Sequence, residues 1–522
     1  MALTPQAEPV ERRPLLERLP WFALFVTALT LLRFLHMGEI IEEPWTWRQY
    51  DTEYFARDLY LHGMNILRPS VCWLGGHRTV IFEFPLHEAI VALFYLLLGP
   101  KILWARLVTF GFFLGSAYYF FKVIEYVASR RLAKLATVVY MALPMSLFYS
   151  RAVHLDFCVL FFAHGMLYYL LRGYDEEKTG LIALGSLFAA LGFLIKAPYL
   201  FYLAFPLAFH ILRRLKVKRL LVWSPILVLP VVLFVLWRAH VAKVNARAPD
   251  WTFISDYHKF IDVHEVRWYF GTLADRLKLA NWAVLVRRVV TNVTTVFGAY
   301  LVLVGVLAKP AENRGTTFFR LWGVGLAAYL LIFFTLNVVH TYWQMPFVPV
   351  AAIFVGIALE WLFWARGAEP ARGPNLPFLA TLCALVGFSV LHTETPGTGF
   401  YGIDWRRIHQ GQIIRDHTPE NALLILAQPE RHYHGFGDPR ALYTAGRSGW
   451  NVNLAELNQA FLASLRAAGA HYLVVTTDEP LTYELRQLLA RSSPAEFESP
   501  TQPWRVYIYD LGPAPPPATS QP

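Results

Sequence analysis

The stretch Trp47-Arg48-Gln49-Tyr50-Asp51-Thr52-Glu53-Tyr54-Phe55-Ala56-Arg57-Asp58 follows directly on the first long apolar run, and it sets three acids and two arginines among aromatics where lipid meets water. A connection that only joins two spans needs neither these carboxylates nor a length running from about residue 37 to 84. Ionisable groups at membrane depth are costly, which makes them functional candidates. The competing reading is a solvated amphipathic helix carrying a Glu53–Arg57 i,i+4 pair.

Working outward, the 522 residues are 56% hydrophobic and 16% charged, with a mean hydropathy of +0.38. Those values belong to a polytopic membrane protein rather than a soluble domain. The formal charge of +10 is spread in short Lys/Arg clusters between apolar runs, so it reports topology and anionic lipid and not nucleic acid. Cys72, Cys158 and Cys383 lie far apart without metal-ligand spacing and read as small packing residues. Glu11-Arg12-Arg13 and Arg18 precede a first run that continues to about His36 with no small-residue cleavage site, as expected of an uncleaved first span. Asn292-Val293-Thr294 matches a glycosylation sequon but sits in an apolar run and is assigned no role.

Basic residues before the first span place the N-terminus, 1–19, in the cytoplasm and the Asp51 loop outside. The run 86–98 reaches only roughly 20 Å against a hydrocarbon core of roughly 30 Å and is expected not to cross. Leaving it out keeps every basic turn cytoplasmic. About eleven spans follow: 20–36, 103–127, 134–150, 157–172, 180–195, 198–212, 219–237, 284–307, 319–336, 343–364 and 376–391. Lys196-Ala197-Pro198 breaks one hairpin, because proline removes a backbone donor. The expected architecture is mainly α: a transmembrane domain over 20–392 with extracytoplasmic loops at 37–84 and 238–283. A small extracytoplasmic α/β domain over 393–511 and a disordered Pro-rich tail, 512–522, follow. Within that domain 422–427, 471–477 and 505–510 read as strands, and 453–468 and 481–491 as amphipathic helices.

With this topology several polar groups converge on the outer leaflet: Asp51; Arg151, His154 and Asp156; Lys196; His340 and Tyr342. A lysine in the apolar hairpin Leu194-Ile195-Lys196-Ala197-Pro198 needs a protein carboxylate or a lipid phosphate, or it snorkels to the interface. Asp156 and Glu83 each open an apolar segment, so each also suits a helix N-cap. His154 and His340 taken singly read as structural histidines.

In order along the chain, Arg48-Gln49-Tyr50-Asp51-Thr52 with Ala56-Arg57, Glu83-Phe84-Pro85-Leu86, Tyr149-Ser150-Arg151-Ala152-Val153-His154-Leu155-Asp156, Leu194-Ile195-Lys196-Ala197-Pro198 and His340-Thr341-Tyr342-Trp343-Gln344-Met345-Pro346 resemble the C-type membrane glycosyltransferases of the family-39 superfamily. That superfamily includes protein O-mannosyltransferases and aminoarabinose transferases. The resemblance spans about residues 20 to 365. It implies the C-type glycosyltransferase membrane fold, a polyprenyl-phosphate sugar donor, and transfer at the outer face of a plasma (inner) membrane. It also implies Asp51 as the first-loop catalytic acid, Asp156 as the second-loop acid, and Lys196 facing the donor phosphate. Thr52 stands where the mannosyltransferases carry the second acid of an Asp-Glu pair, and Glu83-Phe84-Pro85 where the aminoarabinose transferases carry Lys-Pro-Pro.

Sugar transfer needs a base for the acceptor hydroxyl and cations for the departing phosphate. Asp51 suits the first task, Lys196 and Arg151 the second. The donor already carries a good leaving group, so a single inverting displacement is expected. No cofactor is required, although Glu83, His264 or Asp156 admits a divalent metal; Glu265 beside His264 is a further candidate. The expected partners are the donor, membrane lipids and a lipid, glycan or protein acceptor, with no nucleic acid. The rival function is a transporter or flippase of a lipid-linked or amphiphilic substrate, whose ionisable groups should lie at mid-depth on several spans and not at one face.

Overall fold

The computed structural model describes residues 20–247, 263–308, 315–364, 375–432, 435–481, 486–487, 494–498 and 504–512, and at 263–266 the backbone alone. The N-terminus 1–19, the expected helix over 482–485 and 488–491, and the tail from 513 lie outside these residues. The chain is a multi-pass membrane protein: among the described residues six helices are long and apolar enough to cross a bilayer, Ile102–Val127, Asp156–Asp175, Thr179–Lys196, Val217–Asn245, Phe347–Trp364 and Leu376–Glu394.

The expected count of eleven is not confirmed. The run 284–307 is not one rod but a pair, Leu279–Val293 and Thr295–Leu307, bent by 100° and counting as a seventh span only if taken together. The bend follows a π-turn over Val289–Val293 and a Thr295 held at φ 64°, the left-handed region where a β-branched residue is strained. Trp21–His36, Leu86–Leu98, Pro198–Leu212 and Thr316–Ile332 are shorter apolar helices, and 134–150 divides into Arg130–Ala142 and Pro144–Tyr149 at a proline that opens the second piece. The helix Thr179–Lys196 ends as expected, with Pro198 opening the next turn. At the start of the expected outer loop, 238–283, the helix Val217–Asn245 continues past Trp237. Its last residue clamps the first loop: Asn245 accepts from the Ile81 amide at 2.9 Å and donates to the Ile81 carbonyl at 2.8 Å.

The stretch read first is the helix Thr46–His62, and ten of its seventeen residues are buried. That overturns the solvated-helix reading. Glu53 is 3% exposed and accepts the Tyr95 hydroxyl at 2.9 Å, while Asp58 holds His62 at 2.8 Å and the Ser70 amide at 3.2 Å.

The C-terminal domain is α/β. Its five strands, β1 Leu423–Gln428, β2 Ser448–Asn453, β3 Tyr472–Thr477, β4 Ala495–Glu498 and β5 Arg505–Asp510, lie in the order β2-β1-β3-β5-β4. β1 runs parallel to β2 and β3, and β5 antiparallel to β3 and β4. The helix expected from Asn453 begins instead at Gln459, capped by Asn458, because Asn453 ends β2.

This domain and the first loop share one core. Phe55, Val71, Cys72 and Trp73 pack with Ile414, Leu424, Leu426, Leu442 and Trp504. Gly449 of β2 donates to the Cys72 carbonyl at 2.8 Å and accepts from the Gly75 amide at 2.9 Å. Gly75 is required there: its φ is +57°, and a Cβ would meet the Trp450 ring at 2.0 Å.

Candidate functional site

A cavity of about 460 Å³ lies where the first-loop helix, the His154 loop, the Lys196 break and the His340 loop meet. It brings together Asp51, Glu83, His154, Lys196, His340 and Tyr342 from five separate sequence segments. Two walls differ in kind. One is polar, with Arg48, Asp51 and Glu83; the other runs out along Phe193, Phe201, Phe234, Trp237, Phe270 and Phe333.

On the polar wall, Arg48 and Asp51 stand one turn apart on Thr46–His62, so helical geometry puts both on one face. Asp51 is 4% exposed, and its Oδ1 accepts from the Trp73 indole at 3.0 Å. Burial pushes its carboxyl up to about 7, with Arg48 and the Trp73 hydrogen bond pulling the other way. Arg48 Nη2 donates to Glu83 Oε2 at 2.5 Å and its guanidinium lies 5.3 Å over the Phe82 ring.

Across the cavity Lys196 Nζ donates to Asp156 Oδ1 at 2.8 Å and stands 4.0 Å over Tyr199, 4.8 Å over Tyr342 and 4.7 Å over Trp343. The lysine's protein partner is this carboxylate, and its side chain is 6% exposed and not snorkelled. His154 Nδ1 lies 3.0 Å from the other Asp156 oxygen. Asp156 itself is fully buried and does not line the cavity; it sits behind Lys196 and His154. The His340 ring packs on Tyr342 at 5.1 Å and Trp45 at 4.6 Å, and burial lowers its imidazole to about 3, so it is neutral.

Arg151 is not brought to the cavity. Its Nη1 donates to the His36 carbonyl at 2.7 Å and Glu42 Oε2 at 2.8 Å, and the guanidinium stacks 4.4 Å over Tyr401. It ties the end of the apolar helix Trp21–His36 to the segment after Leu376–Glu394. His264 and Glu265 lie on Val263–Phe270, with side chains outside the described residues. Arg48, not Arg151, lines the cavity; its three-residue spacing from Asp51 was the available signal. Trp73 carried none, because only the packing of the loop against the C-terminal domain aims its indole at Asp51.

Among the described residues no group of three or more His, Cys, Asp or Glu could hold a metal ion. Two of the expected ligands are already matched to cations, Glu83 to Arg48 and Asp156 to Lys196, an arrangement that does not fit a divalent metal at either carboxylate.

No family model matches the sequence, and no curated protein does. Solved structures do. ArnT from Cupriavidus metallidurans bound to undecaprenyl phosphate aligns with a TM-score of 0.59 at 15% identity, covering 94% of this chain and 98% of ArnT. The Archaeoglobus fulgidus oligosaccharyltransferase gives 0.52 at 12% identity over 94% of this chain and 72% of its own. The mycobacterial arabinofuranosyltransferase AftD gives 0.54 at 15%, covering 94% of this chain and 40% of AftD. Such identities speak to architecture alone, and the architecture is that of the C-type membrane glycosyltransferases, as the five motifs implied.

Proposed function

We propose that this chain is an integral-membrane glycosyltransferase that moves a sugar from a polyprenyl-phosphate donor onto the hydroxyl of an extracytoplasmic lipid, glycan or protein acceptor. The carrying observation is one cavity in which a buried acid at about 7 faces a caged lysine, with an apolar wall leading away. The fold shared with ArnT bound to undecaprenyl phosphate supports the same reading.

The prenyl tail would lie along Phe193, Phe201, Phe234 and Trp237, with the phosphate toward Lys196 and Arg48. The Asp51 carboxylate accepts the proton of the acceptor hydroxyl as its oxygen attacks the anomeric carbon. The bond from that carbon to the phosphate oxygen breaks, and the electron pair leaves with the polyprenyl phosphate. A raised acid near neutrality is matched to this task, since a substantial fraction is deprotonated at neutral pH and that fraction is basic enough to take the proton. Lys196 and Arg48 oppose the negative charge growing on the phosphate in a desolvated site. Asp156 positions Lys196. A single displacement inverts the anomeric centre, and no step passes through a metal.

The test is transfer by purified protein with a radiolabelled polyprenyl-phosphate sugar, with and without chelator. Asp51→Asn should abolish product while retaining donor binding; a near-native rate in that variant would remove the assignment. The outer-face orientation is checked separately, by thiol labelling of Gln459→Cys in intact cells: modification from the cytoplasm alone would invert the topology.

A further inference from the structure

A second cavity, of about 880 Å³, opens between the far end of the first-loop helix and the C-terminal domain. Unlike the first it is polar and basic: Arg57, Arg78, Arg415 and Arg447 line it against only Asp58 and Glu420. The acids do not cancel the arginines. Asp58 is engaged by His62 and the Ser70 amide, and Glu420 is exposed. Among the described residues, Arg57, Arg78 and Arg447 have no carboxylate within ion-pair distance, and Arg415 reaches only its exposed neighbour Asp416, at 3.2 Å.

The positive charge is also held in place. Arg447, 7% exposed, donates to the Ala445, Gly446, Arg415 and Thr418 carbonyls and the Thr418 hydroxyl at 2.6 to 3.3 Å, so every hydrogen bond is to a neutral oxygen, while the exposed Glu420 acts on it only through space. The Arg57 guanidinium rests 5.7 Å from the centre of the Tyr443 ring. Four guanidinium groups against two carboxylates, in a concave setting with hydroxyl and amide groups such as Thr444, Ser448 and Asn421 around them, match an oxyanion carried on a hydroxyl-rich body.

We propose that this cavity binds an anionic glycan, a sugar chain bearing carboxylate or phosphate, as the acceptor of the transfer reaction. The acceptor role rests on the reading of the first cavity; the anion site does not. Arg57 lies six residues beyond Asp51 on one helix, about 9 Å along its axis, which is the reach of one or two sugar rings. Six residues also set the two side chains about 120° apart around the helix, so a chain anchored at Arg57 and Arg78 would present its terminal hydroxyl to Asp51 by passing around Thr46–His62.

The experiment is calorimetric titration of the full-length protein in detergent with tetragalacturonate, glucose 6-phosphate and neutral maltotetraose. At least one anionic probe should bind, maltotetraose about 10-fold more weakly or worse, and binding should weaken as salt is raised. The Arg57→Gln/Arg78→Gln double variant should lose about 10-fold or more in affinity for the anionic probe. Should that variant fail to fold, Arg415→Gln, a substitution at an exposed residue, should still weaken binding measurably. Equal binding of maltotetraose, or unchanged affinity in the arginine variants, overturns the site. The comparison of carboxylate with phosphate probe tells which oxyanion the cavity takes. Bound probe that leaves transfer uninhibited overturns the acceptor role, whereas inactivity of the wild type with every lipid donor bears on the first cavity alone.

Discussion

Asp51 and Asp156 are the same residue type, both buried, one lining the cavity and the other behind Lys196, and their surroundings set them apart. Asp51 lies on a loop helix, Thr46–His62, backed by the C-terminal domain. It touches one neutral donor, Trp73, and opens on the cavity. Asp156 belongs to the membrane half, at the head of Asp156–Asp175, and is matched to Lys196 on one oxygen with His154 beside the other. An acid held by a cation is spent on geometry, while an acid held by a neutral indole keeps its capacity to take a proton. The difference lies in the partner and not in burial, which is nearly complete in both.

The largest effect should separate the two acids directly. Asp51→Asn is expected to cut transfer by about 100- to 10,000-fold, the usual worth of a general base, with donor binding retained. Its stability runs the opposite way. With a folded value near 7 against 3.8 unfolded, the protonated acid contributes stability that is full below about 4 and is lost as pH rises through about 7. The amide removes that loss, so Asp51→Asn should melt no lower than wild type at pH 8 in a thermal-shift assay. Lower melting would mean Asp51 is structural.

Asp156→Asn should instead destabilise, by about 3–5 kcal/mol, since it strands the buried Lys196 charge. Adding Lys196→Met should recover much of that stability without recovering donor binding, a pattern read by melting and by lipid-binding assays in parallel. If the double variant still binds donor, the lysine does not face the phosphate.

A smaller effect concerns the arginines. Arg48→Gln should reduce kcat/KM for the donor by about 10-fold and leave folding intact. Arg151→Gln should spare the KM for donor and lower the melting temperature, because its bonds join the end of the helix Trp21–His36 to Glu42 and Tyr401. Reversed outcomes would return Arg151 to the site.

The smallest belongs to Trp73. Transfer should rise with pH about a midpoint near 7 in wild type, as the base deprotonates. Trp73→Phe removes a hydrogen bond that favours the carboxylate, so the midpoint should move upward and the rate at pH 7 fall by about 3- to 10-fold. An unmoved midpoint would assign the titration to another group.

The residues that gathered in the cavity were legible because charge is scarce in an apolar sequence. Lys196 beside Pro198, and His340 with Tyr342 before the next apolar run, stand out against lipid-facing neighbours for the same reason that they cost free energy there. Arg151 stands out equally, yet it serves packing, since a buried guanidinium satisfied by a carbonyl and a carboxylate looks identical in sequence to one facing a ligand. The second strand of the C-terminal domain, Ser448–Asn453, escaped notice although it alternates Trp450 and Val452 with polar Asn451 and Asn453: it opens on Ser-Gly and ends on Asn, residues typical of turns, and its polar positions are buried rather than solvent-facing.

The amino-acid sequence by itself determined that the chain lives in a membrane, where its polar loops fall and that its C-terminal part is α/β, because hydropathy and short-range periodicity are local properties. Tertiary structure decided how many apolar runs make long straight helices, with a bend or a proline dividing several of them. It also decided that Trp73, held in a core shared with the C-terminal domain, reaches Asp51, and that Asp156 stands behind Lys196. Those are contacts between segments distant in the chain, and their energy comes from burial that exists only once the segments have met.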